Sequence, residues 1–452
     1  MRLSDEACRE MQELIARRLG LDFPENRQAD LERGLARALR GASIRSPDAY
    51  LAWLATLPDE SPEWRRLADH LTVGETYFFR DPGCFEALEQ QVLPSLIAER
   101  RSAGNLRLRF WSAGCATGEE PYSLAILLDR LLPDLADWSL TILATDINSE
   151  ALEVARRGVY RQWPLRETPS WVRDRYFYRH ETEAYEVDPR IQRMVSLAPL
   201  NLAEDGYPAV VTNTTAMDLI LCRNVLMYFT DEAQRACVTR LQRALVPGGW
   251  LVVGPAEAST DLLSPLAPVT FPNAILYRKE QPSASSHQPS AFVPSPPFAF
   301  PQPLSPNSQP PSSAPQPLSP NPQPLLERAR ALADQGNLEE AYHLCKTALA
   351  KDQLDPEAHL LLAAICQERG EISEALETLR RVIYLTPDSA SAYFLMGSLL
   401  LRQGKRGQGR RSMETVVSLL QTVPGHETVA GSAGLTAGRL LETARAYLEL
   451  SA

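Results

Sequence analysis

Apolar residues recur three and four positions apart in the first part of the chain, which is the spacing of an amphipathic helix. This pattern predicts four helices, at residues 7–19, 28–40, 47–57 and 63–71, and no strand before them or between them. We therefore expect an all-α N-terminal domain over residues 1–83.

From residue 84 onward, short apolar runs alternate with helical patterns. The runs at 106–112, 140–145, 217–222, 250–254 and 274–278 predict strands, and the patterns at 121–132, 149–157 and 231–245 predict helices. Such alternation is typical of a parallel, doubly wound α/β sheet, here over residues 84–280. Between about 171 and 200 polar and apolar residues alternate, for example at 190–197, and we expect a small antiparallel β-subdomain there.

Residues 281–324 interrupt this pattern. They contain 15 of the 36 prolines and no Asp, Glu, Lys or Arg, and the heptapeptide PQPLSPN occurs in them twice. Such a composition favours an extended chain with too little apolar area to fold. We expect a spacer between two folded parts. The alternative is a ligand for a proline-reading domain, which requires an additional partner.

The segment 325–452 repeats with a period of 34 residues. Gly336, Gly370 and Gly404 keep this step, and three sets of small or apolar positions keep it as well. The register resembles the tetratricopeptide repeat, in which paired antiparallel helices stack into an array with a concave face for protein partners. An ordinary helical bundle is the alternative, but it has no reason to keep a fixed step. We expect three repeats, the third degenerate, and a final helix at 435–450.

Composition narrows the function. The 452 residues carry 46 Lys plus Arg against 56 Asp plus Glu, a net charge of -10, which disfavours nucleic acid as a partner. No apolar run is long enough to span a bilayer, and residues 1–20 lack the apolar centre of a signal peptide, so we expect a cytoplasmic protein without membrane insertion. Seven cysteines without a CxxC pair indicate reduced core thiols, and six scattered histidines predict no metal site.

The first predicted strand ends in the sequence SAGCATGEEPYS. This is a strand, a glycine-bearing turn and the start of a helix, the place where open α/β sheets bind ligands. Two acids, Glu119 and Glu120, follow the turn and disfavour a phosphate. A cationic ligand with an amino group, such as S-adenosylmethionine, suits this site better.

Polar residues also follow the next two strands of the predicted sheet. Asp146 ends the second strand, where a carboxylate can accept both ribose hydroxyls of an adenosine. As a separate residue it would be interpreted as a cap for the following helix. Arg223, Asn224 and Tyr228 follow the strand at 217–222 within six residues. Together these residues predict a cofactor pocket at one edge of the sheet.

Five motifs occur in one order along residues 1–280: LTVGETYFFR, SAGCATGEEPYS, ATDIN, APLNL and CRNVLMYF. With them the chain resembles the chemotaxis-type (CheR family) protein-glutamate O-methyltransferases. The resemblance implies a Rossmann-like class I S-adenosylmethionine-dependent methyltransferase fold, with an all-α N-terminal domain and a small β-subdomain, here joined to a C-terminal tetratricopeptide-repeat domain. It also implies methylation of glutamates on the cytoplasmic domain of a chemoreceptor, with S-adenosylhomocysteine as the second product.

The resemblance assigns roles to residues of this chain by position. It implies a cofactor site formed by Thr76, Arg80, Glu120, Asp146, Asn201, Leu202, Arg223 and Asn224. Arg80 and Tyr228 are expected to orient the acceptor carboxylate, whose pKa of about 4.3 makes a general base unnecessary. For Arg80 the alternative interpretation is a surface ion pair with Asp81. Some members of the family have Asn where this chain has Gly74, so one cofactor contact is in doubt.

Arg33, Arg37 and Arg40 are spaced to lie on one face of the second predicted helix. The resemblance places the receptor-facing helix here, and a basic face suits acidic receptor helices. A solvated face in an Arg-rich protein is the alternative. The segment between Tyr176 and Pro199 is shorter than in members tethered to a receptor pentapeptide, so we do not expect that tether. The repeats are expected to bind a protein partner that the sequence does not identify, and membrane-bound receptor clusters are a second expected location.

Two other functions compete with this hypothesis. One is a methyltransferase for a small carboxylic acid, which a deep closed pocket would favour. The other is a non-catalytic cofactor sensor or scaffold that works through its repeats. The presence of Arg80, Glu120, Asp146 and Tyr228 together argues against the second, because a protein without catalysis has no physical need for all four.

Overall fold

The computed structural model describes residues 5–44, 46–58, 61–180, 183–209, 212–280, 323–334, 336–432 and 434–450. The spacer predicted at 281–324 lies outside the described residues except for its last two positions. Within the described part, no helix has the length and the apolar content that crossing a bilayer requires.

The N-terminal region is helical, as predicted. Ser46 and Ser61 each precede a proline in the first helical turn and accept a backbone N–H as N-caps, which fixes where the third and fourth helices begin. Met11 and Ile15, on the apolar face of the first helix, and Leu31, on that of the second, are completely buried. Its helices are α1 (Asp5–Leu19), α2 (Gln28–Ala42), α3 (Pro47–Thr56) and α4 (Pro62–Leu71).

Seven strands form the central sheet, in the order β6-β2-β1-β7-β8-β10-β9. These strands are β1 (Arg107–Ala113), β2 (Ser139–Asp146), β6 (Val195–Pro199), β7 (Met217–Cys222), β8 (Leu245–Val253), β9 (Ala267–Phe271) and β10 (Ala274–Arg278). The first five in spatial order are parallel, but β10 runs antiparallel to both β8 and β9. The expectation of a wholly parallel sheet was therefore wrong at this end, where a two-residue hairpin turn leaves no room for a crossover helix.

Helices cover both faces of this sheet. Alternate strand residues point to opposite sides, so Trp111 and Leu143 pack in the same core as the N-terminal helices, whereas Phe110 and Ile142 pack in the core on the other face. The N-terminal domain is thus continuous with one face of the sheet. The helices of this region are α5 (Pro82–Ala87), α6 (Leu93–Ser102), α7 (Glu119–Leu131), α8 (Ser149–Arg157), α9 (Ser170–Tyr176), α10 (Pro189–Met194), α11 (Asp231–Ala244) and α12 (Thr260–Leu263).

A separate antiparallel sheet of three strands corresponds to the predicted β-subdomain. It consists of β3 (Val159–Tyr160), β4 (Phe177–Arg179) and β5 (Tyr185–Val187), in the order β3-β5-β4. The alternating segment 190–197, which we expected in this insertion, lies elsewhere. Pro189 and the Asp188 carboxylate, which accepts the backbone N–H of Arg190 at 2.7 Å, start helix α10, and the residues after it pair in parallel with β2.

The C-terminal region is a stack of helix pairs, and its turns confirm the 34-residue register. Gly336, Gly370 and Gly404 each have a positive φ, of 82°, 79° and 74°, between the two helices of a pair. The second helix of the third pair is complete although its sequence is degenerate. The helices are α13 (Gln323–Asp334), α14 (Leu338–Lys351), α15 (Pro356–Glu368), α16 (Ile372–Leu385), α17 (Ala390–Arg402), α18 (Arg406–Leu420) and α19 (Ala437–Leu450).

The segment between α18 and α19 returns across the first helices of the second and third pairs. Ser391 Oγ in α17 donates to the carbonyl oxygen of Ala430 at 2.8 Å, and Gly431 lies against Leu360 of α15. Tyr447 of α19 then packs on Phe394 with ring centroids 5.8 Å apart, and it also packs against the core that the N-terminal helices share with one face of the central sheet. Part of the α15–α17 face of the repeats is therefore covered by the chain itself.

The repeats also contact the amino ends of the central strands. Glu368, at the end of α15, lies 2.7 Å from Arg107 and 3.1 Å from Arg109, and it accepts a hydrogen bond from Thr215 Oγ1 at 3.4 Å. In a second contact between the two regions, Arg65 of α4 lies 3.5 Å from Glu442 of α19. The repeat domain therefore covers the end of the sheet where the parallel strands begin. The carboxyl ends of these strands lie at the opposite end.

Candidate functional site

A pocket opens at the carboxyl ends of β1, β2 and β7, below the N-terminal helices. All nine residues predicted for the cofactor and the acceptor line it: Thr76, Arg80, Glu120, Asp146, Asn201, Leu202, Arg223, Asn224 and Tyr228. These residues come from five separate sequence motifs, so the fold brings them together as expected. Arg33, Arg37 and Arg40 lie outside this pocket, exposed on α2.

The turn after β1 needs glycine at its first position. Gly114 has a φ of 85°, and a Cβ on it would lie 2.3 Å from a methyl group of Val225. At the end of the turn, Gly118 has a φ of 94° and a Cβ there would lie 2.7 Å from the Cβ of Ala155. The two glycines therefore let the turn approach the neighbouring strand and helix closely, which leaves its backbone facing the pocket.

Asp146 connects this turn to the end of β2. Its two carboxylate oxygens accept the backbone N–H groups of Ala116 and Asn148, each at 2.8 Å. The cap of α8 is Asn148 and not Asp146, because the Asn148 side chain accepts the N–H of Ala151. Burial raises the pKa of Asp146, while the two N–H groups oppose that shift. Each carboxylate oxygen keeps a second lone pair, so the group can still accept hydroxyl hydrogens from a ligand.

Glu120 and Arg223 form a buried pair in the wall of the pocket. Glu120 Oε2 lies 3.1 Å from Arg223 Nη1, and Glu120 Oε1 accepts the hydroxyl of Ser112 at 2.7 Å. The Arg223 side chain is 2% exposed, and its Nε has no partner among the described residues. The lining as a whole is balanced in formal charge, with Glu75, Glu120 and Asp146 against Arg27, Arg80 and Arg223. A ligand with a cationic head would therefore bind locally, beside Glu120 and Asp146.

Arg80 does not pair with Asp81, which was the alternative interpretation. Asp81 lies 3.6 Å from Arg223, which also donates to the carbonyl oxygen of Arg80 at 2.6 Å. The Arg80 guanidinium donates to the carbonyl oxygen of Glu75 at 2.9 Å, and its side chain is half-buried at the rim. Backbone and side chain thus hold Arg80 at the pocket, with its charge available for an acidic group.

Glu119, the first of the two adjacent acids, does not line the pocket. It is 1% exposed and accepts the hydroxyl of Thr117 at 2.7 Å. Burial raises its pKa to about 7. The two neighbouring acids therefore differ in environment, because only Glu120 faces the pocket and a guanidinium.

The structure adds Arg27, which sequence reasoning missed. Arg27 lies just before α2 and lines the pocket, with its guanidinium 4.7 Å from the ring centre of Tyr228 and 4.8 Å from that of Phe23. It also donates to the carbonyl oxygen of Asp22 at 2.8 Å. Its position next to the basic face of α2 could have indicated Arg27 as a candidate. No pattern in the sequence, however, relates residue 27 to residue 228.

Glu257 is a second residue that the sequence did not single out. Its carboxylate accepts four backbone N–H groups, between 2.7 and 3.2 Å: those of Asn224, Val225, Met227 and Gly254. Asn224 has a positive φ of 57°, so this turn follows an uncommon backbone path. Glu257 therefore positions the turn that presents Asn224 and Tyr228 to the pocket.

The basic face of α2 is exposed but partly occupied within the chain. Arg33 forms an ion pair with Asp30 one turn earlier, and Arg37 donates to the carbonyl oxygen of His70 at 2.7 Å. Asp30 also lies 3.7 Å from Arg27. The face therefore begins at the pocket mouth and runs away from it along α2.

Gly74 lies on the same rim. A Cβ placed on it meets no atom within 4 Å, and its backbone is exposed. An asparagine would therefore fit at this position without a clash. The position therefore has room for a side chain that this chain does not supply.

Three side chains of metal-ligating type meet in the repeat domain, away from this pocket. The ligand atoms of Cys366, Glu371 and Glu374 all lie within 4.8 Å of one another. Lys346 lies 2.9 Å from Glu374 and Arg369 lies 2.9 Å from Glu371, so both carboxylates have cationic partners. Burial raises the pKa of Cys366 to about 12, which opposes the thiolate that a metal requires. The absence of a metal stays a prediction.

Comparison with known protein families divides the chain as the structure does. Residues 6–72 match the family described as CheR methyltransferase, all-alpha domain, and residues 74–267 match its SAM binding domain. Residues 332–410 match the tetratricopeptide repeat.

Individual relatives extend the similarity over most of the chain. A probable biofilm formation methyltransferase, WspC of Pseudomonas aeruginosa, is 30% identical over 421 residues, which is 88% of this chain and 95% of that protein. WspC of Pseudomonas putida is 29% identical over 88% of this chain and 95% of its own length. Chemotaxis protein methyltransferase 1 of Pseudomonas aeruginosa is 36% identical over 47% of this chain and 76% of its own. The similarity to WspC thus includes the repeat region.

Proposed function

Since the chain belongs to the CheR methyltransferase family, we propose that it methylates glutamate side chains on the cytoplasmic helices of a chemoreceptor in a chemosensory signalling pathway. The observation that carries this proposal is the convergence of nine residues from separate motifs in one pocket. The products are a glutamyl methyl ester on the receptor and S-adenosylhomocysteine.

The residues present fit S-adenosylmethionine. Glu120 faces the pocket and can take the amino group, and Asp146 keeps lone pairs for the ribose hydroxyls. The buried Nε of Arg223 has no partner among the described residues and can donate within this site. Thr76, Asn201, Leu202 and Asn224 would complete the walls. The cofactor supplies a methyl carbon made electrophilic by the sulfonium.

The chain itself contributes orientation and electrostatics to the reaction. An ionised glutamate needs no general base, and the described pocket lining contains no His and a single Cys, Cys115, whose pKa burial raises well above its ordinary value. Arg80, at the rim, would bind the acceptor carboxylate, and the Tyr228 hydroxyl would orient it. Correct alignment of two reactants can lower a barrier by about 7–11 kcal/mol.

The surroundings of the pocket support a protein acceptor. Arg27 lines the mouth, and the exposed Arg33, Arg37 and Arg40 continue from it along α2. We assign this face to the acidic methylation helices of the receptor, and we propose that the protein acts in the cytoplasm at receptor clusters. The repeat domain would serve recruitment or regulation through a protein partner. Neither nucleic acid nor membrane insertion has a role in this proposal.

Transfer of labelled methyl to the cytoplasmic fragment of the receptor encoded nearest this chain tests the proposal. We expect base-labile label on glutamate, released as methanol, and a loss of about 100-fold or more in rate for Arg80→Gln with the affinity for S-adenosylmethionine lowered less. Label on a small carboxylic acid with none on any receptor fragment would point to the small-acid methyltransferase. Cofactor binding without any transfer would point to the scaffold.

A further inference from the structure

A row of four stacked side chains leads from the pocket to the protein surface. The Arg80 guanidinium lies 5.8 Å from the ring centre of Tyr77, and the Arg166 guanidinium lies 3.8 Å from the same ring. Arg166 is also 4.4 Å from the ring of Trp163, which is 65% exposed. We call Arg80, Tyr77, Arg166 and Trp163 the rim row.

The backbone under the rim row is firmly held. The N–H of Phe78 donates to the carbonyl oxygen of Pro164 at 2.9 Å, which ties the segment that carries Tyr77 to the turn that carries Trp163. Phe78 is completely buried and packs edge-on against Tyr160 and Phe177 of the small sheet, with ring centres 5.0 and 4.9 Å away. The surface side chains of the row therefore sit on a rigid base, which reduces the entropy lost when they bind a partner.

The outer part of the rim row has the composition of a binding surface. Arg166 is exposed, and within the described part of the chain no carboxylate pairs with it. Among the described residues, its Nη1 donates to the carbonyl oxygen of Trp163, at 3.1 Å. An exposed tryptophan next to a guanidinium without a carboxylate partner combines the two residue types most enriched among residues that dominate binding energy.

We propose that Trp163 and Arg166 bind the acidic helix of the methyl-accepting protein beside its acceptor glutamate. This inference rests on the proposed function and extends it to a second contact, formed by residues other than Arg27 and the basic face of α2. A helix rises about 5.4 Å per turn, so a glutamate held at Arg80 leaves side chains one or two turns away facing the row. Arg166 would pair with an acidic residue of that helix, and Trp163 would cover an apolar one.

The alternative is that the rim row only stabilises the segment 75–80. In that case its loss would displace Thr76 and Arg80 and weaken cofactor binding. The chain offers a matched control for this alternative in Arg130 and Trp171. Their guanidinium and ring lie 4.3 Å apart, Trp171 is 43% exposed, and neither residue lines the pocket.

The test uses the full chain, the receptor fragment and S-adenosylmethionine, and compares Trp163→Ala and Arg166→Gln with Trp171→Ala. We expect each rim variant to weaken binding of the receptor fragment and to raise its KM about tenfold, with kcat and the Kd for S-adenosylmethionine within about twofold of wild type. Arg166→Glu should raise KM further than Arg166→Gln, because it places an acid against the acidic helix. Trp171→Ala should leave all these quantities unchanged.

Two results would overturn the inference: a KM that stays unchanged in both rim variants, or a parallel loss of cofactor affinity in them, which would show a structural role only. Direct binding separates this inference from the proposed function. A wild-type chain that binds the fragment but transfers no methyl contradicts the proposed function while the rim variants still test the contact. A wild-type chain that neither binds nor methylates any receptor fragment overturns both.

Discussion

The central sheet has a buried arginine–glutamate pair at each end of its parallel strands, and the two pairs have different surroundings. We call the end where these strands begin the amino edge and the end where they finish the carboxyl edge. At the carboxyl edge, Glu120 pairs with Arg223, whose Nε has no partner among the described residues, and the pair faces a pocket. At the amino edge, Glu368 pairs with both Arg107 and Arg109, and each of these side chains is at most 12% exposed. The first pair keeps capacity for a ligand, whereas the second is saturated by the protein itself.

This difference follows from what closes each edge. The turns after the parallel strands bend away and leave space below the N-terminal helices, whereas a helix end from the repeat domain fills the amino edge. Buried charges are costly unless they are paired and hydrogen-bonded. At the amino edge the ion pairs therefore link two domains. At the carboxyl edge the ion pair fixes the positions of two charged side chains that a ligand can contact.

Loss of the amino-edge pairing should have the largest effect on stability. Glu368→Gln removes the carboxylate that pairs with both buried guanidinium groups, and we expect a loss of about 3–5 kcal/mol in the stability of the interface between the domains. Calorimetry should show a lower and broader first transition. Glu357→Gln is the matched control on the same helix, because its partner Arg330 is 46% exposed and such pairs are worth less than about 1 kcal/mol. Equal melting of the two variants would contradict the comparison.

Loss of Asp146 should affect the carboxyl edge alone. Asp146→Ala removes the acceptor of two backbone N–H groups and of the proposed ribose contact, so we expect S-adenosylmethionine to bind about 100-fold more weakly or not at all. Isothermal titration calorimetry measures this. Asp188→Ala removes a buried carboxylate with a similar backbone contact outside the pocket, and its affinity for the cofactor should equal that of wild type. Undiminished binding by Asp146→Ala would refute the assignment.

Glu119, the first of the two neighbouring acids after the glycine turn, should make the stability of the protein depend on pH. Burial raises the pKa of Glu119 from an ordinary 4.5 to about 7, so the folded chain holds this proton more tightly than the unfolded chain does. Wild-type stability should therefore fall as pH rises from about 4.5 to 7, relative to Glu119→Gln, which carries no charge to bury. Between pH 4.5 and a pH above 7, the difference in unfolding free energy between Glu119→Gln and wild type should shift in favour of the variant by an amount on the order of 3 kcal/mol. Denaturant titrations of both proteins at several pH values test this, and a pH-independent difference would disprove it.

The basic face of α2 should give the smallest effect. Because Arg33 and Arg37 already have partners in the chain, replacing Arg33, Arg37 and Arg40 by Gln should raise the KM for the receptor fragment only about threefold at low salt, and less at high salt. The control replaces three exposed arginines of α18 in the same way: Arg406, Arg410 and Arg411. A similar change in KM for both triple variants would favour the interpretation of α2 as a solvated face.

Much of the fold was predictable because it depends on local patterns. The apolar spacing located α1, α2 and α4 within a few residues, and the glycine step gave the three turns at positions 336, 370 and 404. The strand-end rule predicted a pocket containing Glu120, Asp146, Arg223, Asn224 and Tyr228, since parallel strands place their carboxyl ends together. The other four pocket residues were assigned only by the family resemblance: Thr76, Arg80, Asn201 and Leu202. Apart from these four assignments, each inference uses neighbours in sequence or one general property of the fold.

The rest depends on contacts between distant residues. Arg27 reaches Tyr228 across about two hundred positions, and Glu257 gathers N–H groups from a turn some thirty residues earlier. The strand at 267–271 carries alternating exposed residues at a sheet edge, so no continuous apolar run identified it. At 190–197 the alternation suggested a strand throughout, but a capping aspartate followed by proline turned its first half into a helix.

The amino-edge pairing also has a consequence for synthesis. Arg107 leaves the ribosome 261 residues before Glu368 does. The last strand of the central sheet, β10, ends at Arg278, 90 residues before Glu368. At about 5–20 residues per second, roughly 5–18 s pass in which the complete sheet exists without the carboxylate that neutralises Arg107 and Arg109. The nascent chain therefore exposes a cationic, partly apolar surface during that interval, until α15 of the repeat domain is translated and covers it.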